Sequence, residues 1–310
     1  MRIFDDPARL ESIGPRLVVG LGNFDGVHLG HRRLISEVTG KAREENGTPA
    51  VFTFHPHPLS VLDPAHEPPL LLAPEARQRM VEELGVEVMF WVPFTRDFAR
   101  LSPRTFVEQV LHRRLTASVV VVGYNYNFGH RGEGTPALLA REGRRLGFDV
   151  RVVDPVRVDG MVVSSTHIRR LLQEGDVPGA AAFLGYRPFA EGVVVRGDCR
   201  GASLGFPTAN LEPDPRVLVP ADGVYAVEVE TQGIRRTGVA NIGTCPTFRE
   251  HSSPRRIEVH ILEFSGDIYG QAMTVRFHRR LRGEKTFAGP GDLVEQIRRD
   301  IEAARPLSGA

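Results

Sequence analysis

Between Val18 and His31 the chain reads VVGLGNFDGVHLGH, and its last four residues, His28-Leu29-Gly30-His31, are of types that can do chemistry. The two histidines fall where a hydrophobic run and a turn give way to a helix, three residues apart and so on one face of its first turn. Free N–H groups and the helix dipole favour phosphate at such a corner. Two imidazoles added there can donate hydrogen bonds to a nucleoside triphosphate as charge builds at its α-phosphorus, which is positioning and electrostatics with no covalent intermediate. Gly30 leaves room for the nucleotide to lie close to the backbone. The same stretch also suggests a dinucleotide-binding loop. Against that, the G-x-G-x-x-G pattern has Asp25 at its third glycine, and the second strand ends VFTFHPHP, with His55 where a ribose-binding acid belongs. No P-loop pattern occurs. A second candidate is GFPTANL, residues 205–211. Gly205 and Pro207 define a tight turn, and Thr208 and Asn210 alternate along an extended segment, so both face one side. Their hydroxyl and amide oxygens can ligate Mg²⁺, a hard ion held by few protein ligands plus phosphates; the alternative is a turn entering a strand, with local backbone satisfying both.

The elements that must position these residues fall into two halves. From residue 17 to about 184, β-rich runs (Leu17–Leu21, Ala50–Phe54, Val86–Val92, Ala117–Val122, Asp149–Val153) alternate with helical patterns at 30–46, 74–84, 102–114 and 135–146. Ser102-Pro103 and Thr135-Pro136 have the order of an N-cap followed by the first helical residue. The strands are apolar throughout, as a parallel sheet buried on both faces requires. This half is expected to be a five-stranded doubly wound, Rossmann-like α/β domain with its ligand at the carboxyl ends of the strands. After Tyr186 come short strands at 192–195, 223–230, 238–242, 257–264 and 273–277, with Gly, Pro and Asp between them and a helix at 292–304. That grammar reads as an antiparallel barrel. The expected domains are 1–185 and 186–310.

The strand, turn and histidine pair resemble the nucleotidylyltransferase superfamily. Its second ATP-handling element is matched by Ser164-Ser165-Thr166-His167-Ile168-Arg169 before a helix. Ser165 and Thr166 can cap that helix and reach phosphate, and Arg169 is a permanent cation suited to a pyrophosphate leaving group. A plain cap and a solvated helix face are the bland alternatives. GNFDGVHLGH, TFHPHP (53–58), VVGYNYNFGHRGEG (121–134) and SSTHIR, in this order, resemble the FMN adenylyltransferase module of bacterial bifunctional riboflavin kinase/FAD synthetases. The resemblance implies ATP contacts at Gly22, Asn23, Phe24, Asp25, His28, His31, Ser165, Thr166 and Arg169, with His28, His31 and Arg169 catalytic. It implies a flavin pocket lined by Pro56, His57, Pro58, Asn125 and Phe128. Phe128 offers a ring face for stacking, although taken alone it reads as core packing, and Asn125 offers an amide that both donates and accepts. His55 stands where the family commonly has glutamate.

VVVRGDCRGASLGFPTANL (193–211), PADGVYAV (220–227), GVANIGTCPTF (238–248) and EVHILEFSGDIYG (258–270) resemble the riboflavin kinase barrel in the same way. The resemblance implies ATP contacts at Gly205, Pro207, Thr208 and Asn210, metal ligation by Thr208 and Asn210, and Glu258 as general base toward the ribityl hydroxyl. An exposed position on an alternating strand is the alternative for Glu258. Ala202 and Cys245 replace residues that are usually basic in the family, and Arg200 can compensate for the first.

The implied protein is a two-domain transferase that converts riboflavin to FMN and FMN to FAD with ATP and Mg²⁺ or another hard divalent ion. The rivals are a flavin-binding regulator that has lost one or both activities, a kinase with a feeble adenylyltransferase half, and a nicotinamide-dependent oxidoreductase. Composition narrows the setting. Of 310 residues 41% are hydrophobic and 25% charged, and the net charge is +1, so no nucleic-acid or membrane partner is expected. MRIFDDPARL is no signal peptide, no apolar run nears the ~20 residues of a membrane span, and Cys199 and Cys245 read as reduced side chains of a cytoplasmic protein. Oligomeric state is open.

Overall fold

Strands made of Val, Leu and Phe at every position have no face to show water, so they pair with each other and take helices on both sides. The computed structural model describes residues 1–5, 16–197, 201, 204–243 and 256–306. Cys199, Arg200, Ala202 and Cys245, singled out above, lie outside these. The chain divides into two units, Met1–Ser164 and Ser165–Ala310.

In the first unit, β1 (Arg2–Phe4), β2 (Leu17–Leu21), β3 (Thr48–Phe54), β4 (Val88–Val92), β5 (Ala117–Gly123) and β6 (Asp149–Val153) form one sheet in the order β1-β4-β3-β2-β5-β6. All five pairings are parallel. Five strands were expected and six are found. The extra one, β1, has three residues and no pattern of its own; it takes its place by pairing with β4 and setting Phe4 against Phe90, ring centres 6.1 Å apart. β2 and β4 are buried at every position, while the edge strand β6 is largely exposed; a short antiparallel hairpin of β7 (Arg157–Val158) and β8 (Met161–Val162) follows it in the chain. The strand order reverses at β2, which has β3 on one side and β5 on the other, and such a switch point opens a crevice at the carboxyl ends.

The helices of this unit are α1 (Leu29–Glu45), α2 (Pro58–Leu62), α3 (Pro74–Glu83), α4 (Arg96–Ala99), α5 (Pro103–Thr105) and α6 (Pro136–Leu146). The stretch read as one helix over 102–114 is a single turn, α5, running into the π-helical segment Phe106–Arg114. Both expected caps form: Ser102 Oγ accepts from the Thr105 N–H at 3.1 Å, and Thr135 Oγ1 from the Leu138 N–H at 3.2 Å. Each cap contributes about 1 kcal/mol.

The second unit opens with α7 (Ser165–Glu174) and α8 (Val177–Leu184). They travel with the barrel: the Ala221 N–H donates to the Leu172 carbonyl at 2.9 Å, and the fully buried Tyr225 donates its hydroxyl to the Ala221 carbonyl at 2.6 Å. The barrel strands are β9 (Phe189–Val195), β10 (Ala209–Pro213), β11 (Gly223–Thr231), β12 (Ile234–Gly243), β13 (Arg256–Ile261) and β14 (Ala272–Arg282). They close in the order β10-β13-β12-β11-β14-β9, every neighbour antiparallel. The strand absent from the sequence reading is β10, which begins at the Ala209-Asn210 end of the PTAN segment; it bridges β9 and β13 and closes the barrel. The last helix, α9 (Pro290–Ala304), is tied down by Asp300, whose carboxylate accepts from Arg282 Nε at 3.0 Å and Nη2 at 2.8 Å and from Gln296 Nε2 at 2.9 Å.

Candidate functional site

The three N-terminal motifs follow β2, β3 and β5, which are neighbours in the sheet, so GNFDGVHLGH, HPHP and GYNYNF all emerge at the carboxyl edge beside the switch point. His28 is the N-cap of α1. Its Nδ1 accepts the His31 backbone N–H at 3.2 Å. An accepting Nδ1 carries no proton, so the neutral ring presents Nε2–H as its donor. The His28 and His31 rings lie parallel, 9° apart with centroids at 3.6 Å. His31 is held well below the ordinary histidine pKa by burial first, then by His28 and Arg77. Its Nδ1 is buried with no hydrogen-bond partner. The pair is therefore an uncharged donor–acceptor corner.

Gly30 does make room, but for the histidine. A Cβ there would sit 3.1 Å from His28 Cε1 and 3.3 Å from Nδ1. The turn before it is braced from inside. The side chains of Phe24 and Asp25, expected at the nucleotide, face the core: Phe24 is 0% exposed with its ring 5.4 Å from that of His31, and Asp25 is 2% exposed. The Asp25 carboxylate accepts the Leu71 N–H at 2.9 Å, since a buried carboxylate must find a donor. Gly26, at φ +84° and with Leu71 Cδ1 2.7 Å from where a Cβ would stand, admits only glycine. From this stretch the groups left facing outward are Gly22 and Asn23.

Asn23 links the turn to the next motif. Its amide meets His57 Nε2 at 3.3 Å. His57 Nδ1 caps α2, accepting from the Leu59 N–H at 3.2 Å, and the Asn23 atom that faces its Nε2 is Nδ2. Pro56 is exposed and Pro58 half-buried. Asn125 is exposed on the loop after β5, but Phe128 is not a free face: it is 6% exposed, packed between Phe106 (5.6 Å) and Tyr126 (5.8 Å). The core claims it because its backbone bridges Gly134. Ser165, Thr166 and Arg169 belong to the second unit, on the first turns of α7. Arg169 is one turn from Ser165 and half-buried.

In the barrel, alternation separates inside from outside. Ile257 and Val259 are fully buried, and Glu258 and His260 point the other way. Asn210 on β10 lies directly opposite Glu258 on β13, and Asn241 on β12 lies opposite Glu258 on its other side. Directly opposed residues share a face, with Cβ atoms about 5 Å apart. The proposed ligand and the proposed base are thus neighbours although far apart in sequence. Asn210 is 6% exposed and its Oδ1 is buried without a hydrogen-bond partner, an acceptor that a cation would satisfy. Thr208 Oγ1 lies 3.4 Å from where a Gly201 Cβ would be, at the mouth of a turn in which Gly205 has φ +86°. Among the described residues no cluster of three or more His, Cys, Asp or Glu could hold a metal ion.

Three residues of these sites escaped the sequence reading. Asn241 sits in GVANIG, where alternation would have turned it to the Glu258 face. His260 hydrogen-bonds the Pro207 carbonyl through Nδ1 at 2.9 Å, clasping the PTAN turn to the Glu258 strand. Arg77 is buried on the inward face of α3 with Val81, one turn on, and a charge at a core position was its signal.

A family model described as FAD synthetase matches residues 11–167, and one described as riboflavin kinase matches residues 184–308. The chain is 39% identical over 290 residues (93% of this chain, 91% of the relative) to a bifunctional riboflavin kinase/FMN adenylyltransferase of Bacillus subtilis (strain 168). It is 37% identical over 294 residues (94% and 93%) to the protein of that name in Escherichia coli (strain K12). A solved structure titled macrolide-efflux protein, from Streptococcus pneumoniae, superposes with a TM-score of 0.89 at 32% identity, covering 98% of this chain and 99% of that one. Among the described residues no helix is long and apolar enough to cross a membrane.

Proposed function

The chain belongs to the bifunctional riboflavin kinase/FMN adenylyltransferase family, and from that premise we propose how its own residues divide the work. It is a transferase with ATP, riboflavin and FMN as substrates. We assign the adenylyltransferase to 1–185 and the kinase to 186–310.

In the kinase, Glu258 accepts the proton of the ribityl 5′-hydroxyl as that oxygen attacks the γ-phosphorus of ATP, and ADP departs. Thr208 and Asn210 would hold Mg²⁺, with Gly205 and Pro207 shaping the turn over the nucleotide. When bound, the ion neutralises the charge of the triphosphate. In the adenylyltransferase, an FMN phosphate oxygen attacks the α-phosphorus of a second ATP and pyrophosphate leaves. Nε2–H of His28 and the His31 ring donate hydrogen bonds to the phosphates, and Gly22 and Asn23 line their path. Ser165, Thr166 and Arg169 receive the leaving pyrophosphate. Pro56, His57, Pro58 and Asn125 border the flavin, with Phe128 as the packed wall behind them. The reaction draws on cytoplasmic ATP and needs no nucleic acid or membrane.

The observation that carries this reading is the register that sets Asn210 opposite Glu258, with an unsatisfied amide oxygen beside a carboxylate on one barrel face. The test is chromatography of flavins after incubation with riboflavin, ATP and Mg²⁺. FMN appearing first and FAD later is expected. Unchanged riboflavin in a protein that still binds flavin would make it a regulator, and FMN alone would confine activity to the barrel.

A further inference from the structure

Arg77 is 6% exposed, and arginine is almost never so buried unless it is paired. Here it is not paired with a carboxylate: among the described residues no ion pair reaches it, and Asp25 acts on it only from a distance, its own carboxylate occupied by the Leu71 N–H. Among the described residues the guanidinium has two contacts and one unmet donor. Nη1 donates to the Asn23 carbonyl at 2.9 Å, the plane lies 4.4 Å from the centre of the Trp91 ring, and Nε is buried with no partner. The same Asn23 carbonyl accepts Thr53 Oγ1 at 3.2 Å. Trp91 in turn meets His55 edge-on at 5.5 Å, at the head of the HPHP segment. One side chain thus underlies both loops that flank the His28 corner. A buried cation whose nearest carboxylate is engaged elsewhere is costly unless something anionic completes it.

The geometry points to Arg77 as the positioning residue of the adenylyltransferase, holding the Gly22–Val27 turn through Asn23 and having its charge completed by the triphosphate of bound ATP. This rests on the reading that the ATP phosphates lie against the His28 and His31 corner. Arg77 reaches the reaction through the turn rather than by touching the α-phosphorus, so its removal alters how ATP is held before it alters chemistry. It also stands close enough to His31 to favour the neutral ring.

The test uses the full chain with Arg77→Met and Arg77→Lys, the kinase half serving as an internal control of folding. Trp91 is the chain's single tryptophan and lies on Arg77, so its emission reports this spot alone. In FAD formation, Arg77→Met is expected to raise KM for ATP about tenfold or more, with KM for FMN and riboflavin phosphorylation unchanged. Arg77→Lys keeps the charge and loses the planar fork. It should recover KM for ATP. ATP with Mg²⁺ should change Trp91 emission in the wild type and in Arg77→Lys, but not in Arg77→Met. A wild-type KM for ATP in Arg77→Met would overturn the inference, and so would equal losses of KM and kcat in both variants. Should Arg77→Met not fold, the lysine variant decides: a raised KM for ATP at wild-type kcat is the overturning result. If the wild type makes no FAD, the underlying reading fails. If the wild type makes FAD and Arg77→Met matches it, only the inference fails.

Discussion

His28 has two duties that a single pair of substitutions can separate. Its Nδ1 caps α1 by accepting the His31 N–H at 3.2 Å, and its Nε2–H is the donor offered to phosphate. His28→Ala removes both. Loss of a cap costs about 1 kcal/mol, which for a unit of this size lowers its melting temperature by about 2–4 °C. His28→Asn restores the cap, because a short amide oxygen is among the best N-cap acceptors, but places no donor where Nε2 was. Loss of one donor aimed at developing charge costs about 10²–10³ in rate. FAD formation from supplied FMN should therefore fall about a hundredfold or more in both variants, while only the alanine variant melts early. Riboflavin phosphorylation should be intact in both. Chromatographic rates and calorimetric melting, run on the same preparations, make the comparison. An asparagine variant that makes FAD at the wild-type rate would refute the role of the imidazole. One that melts as early as alanine would refute the cap.

Glu258→Gln should end riboflavin phosphorylation while supplied FMN is still converted to FAD, as seen by flavin chromatography; loss of both activities in a folded protein would contradict separate sites. Asp300→Ala strands the Arg282 guanidinium, whose side chain is 14% exposed, at about 3–5 kcal/mol, a fall of about 6–20 °C in the transition of the second unit. Replacing Asp300 and Arg282 together with leucine should recover most of that loss in the same melting experiment. Glu142, 3% exposed, is held below its ordinary pKa of 4.5 by its hydrogen bond to Arg145 at 2.7 Å, with Arg104 and Arg141 adding to it. A depressed carboxyl adds stability above its unfolded value and loses it as pH falls through the folded one. The melting advantage of wild type over Glu142→Gln should thus hold above pH 4.5 and close below it.

What was legible in the sequence was local. Apolar runs such as VVVV announced buried parallel strands, and the turn signals between short strands announced the barrel. The His28 and His31 pair declared itself by its position after the first strand. What was not legible depends on partners distant in the chain. Arg2–Phe4 carries no strand pattern and becomes one only beside β4. Ala209–Pro213 was read for its ligand atoms, and nothing local says that it closes a barrel between β9 and β13. Phe24, Asp25 and Phe128 are placed at the ligands by the resemblance alone; packing against His31, Leu71, Phe106 and Tyr126 turns their side chains inward, as core packing implies for Phe128. Arg77 was passed over because a charged helical residue is usually solvated, and only tertiary packing reveals otherwise.

The opposition of Asn210 and Glu258 limits how this protein can change its length. A strand ladder advances in steps of two: sliding β10 by one residue along β13 would turn Asn210 into the core and bring Ala209 or Leu211 out in its stead. Insertions and deletions within either strand are therefore forbidden in odd number, and so are those in β12, which holds Asn241 against Glu258 from the other side, while the turn between β11 and β12 is free to grow without disturbing the pair. Drift in this half of the molecule should accumulate in connections and spare those three strands. An engineer who wishes to alter what the barrel accepts has the loops to rewrite and the ladder to leave alone.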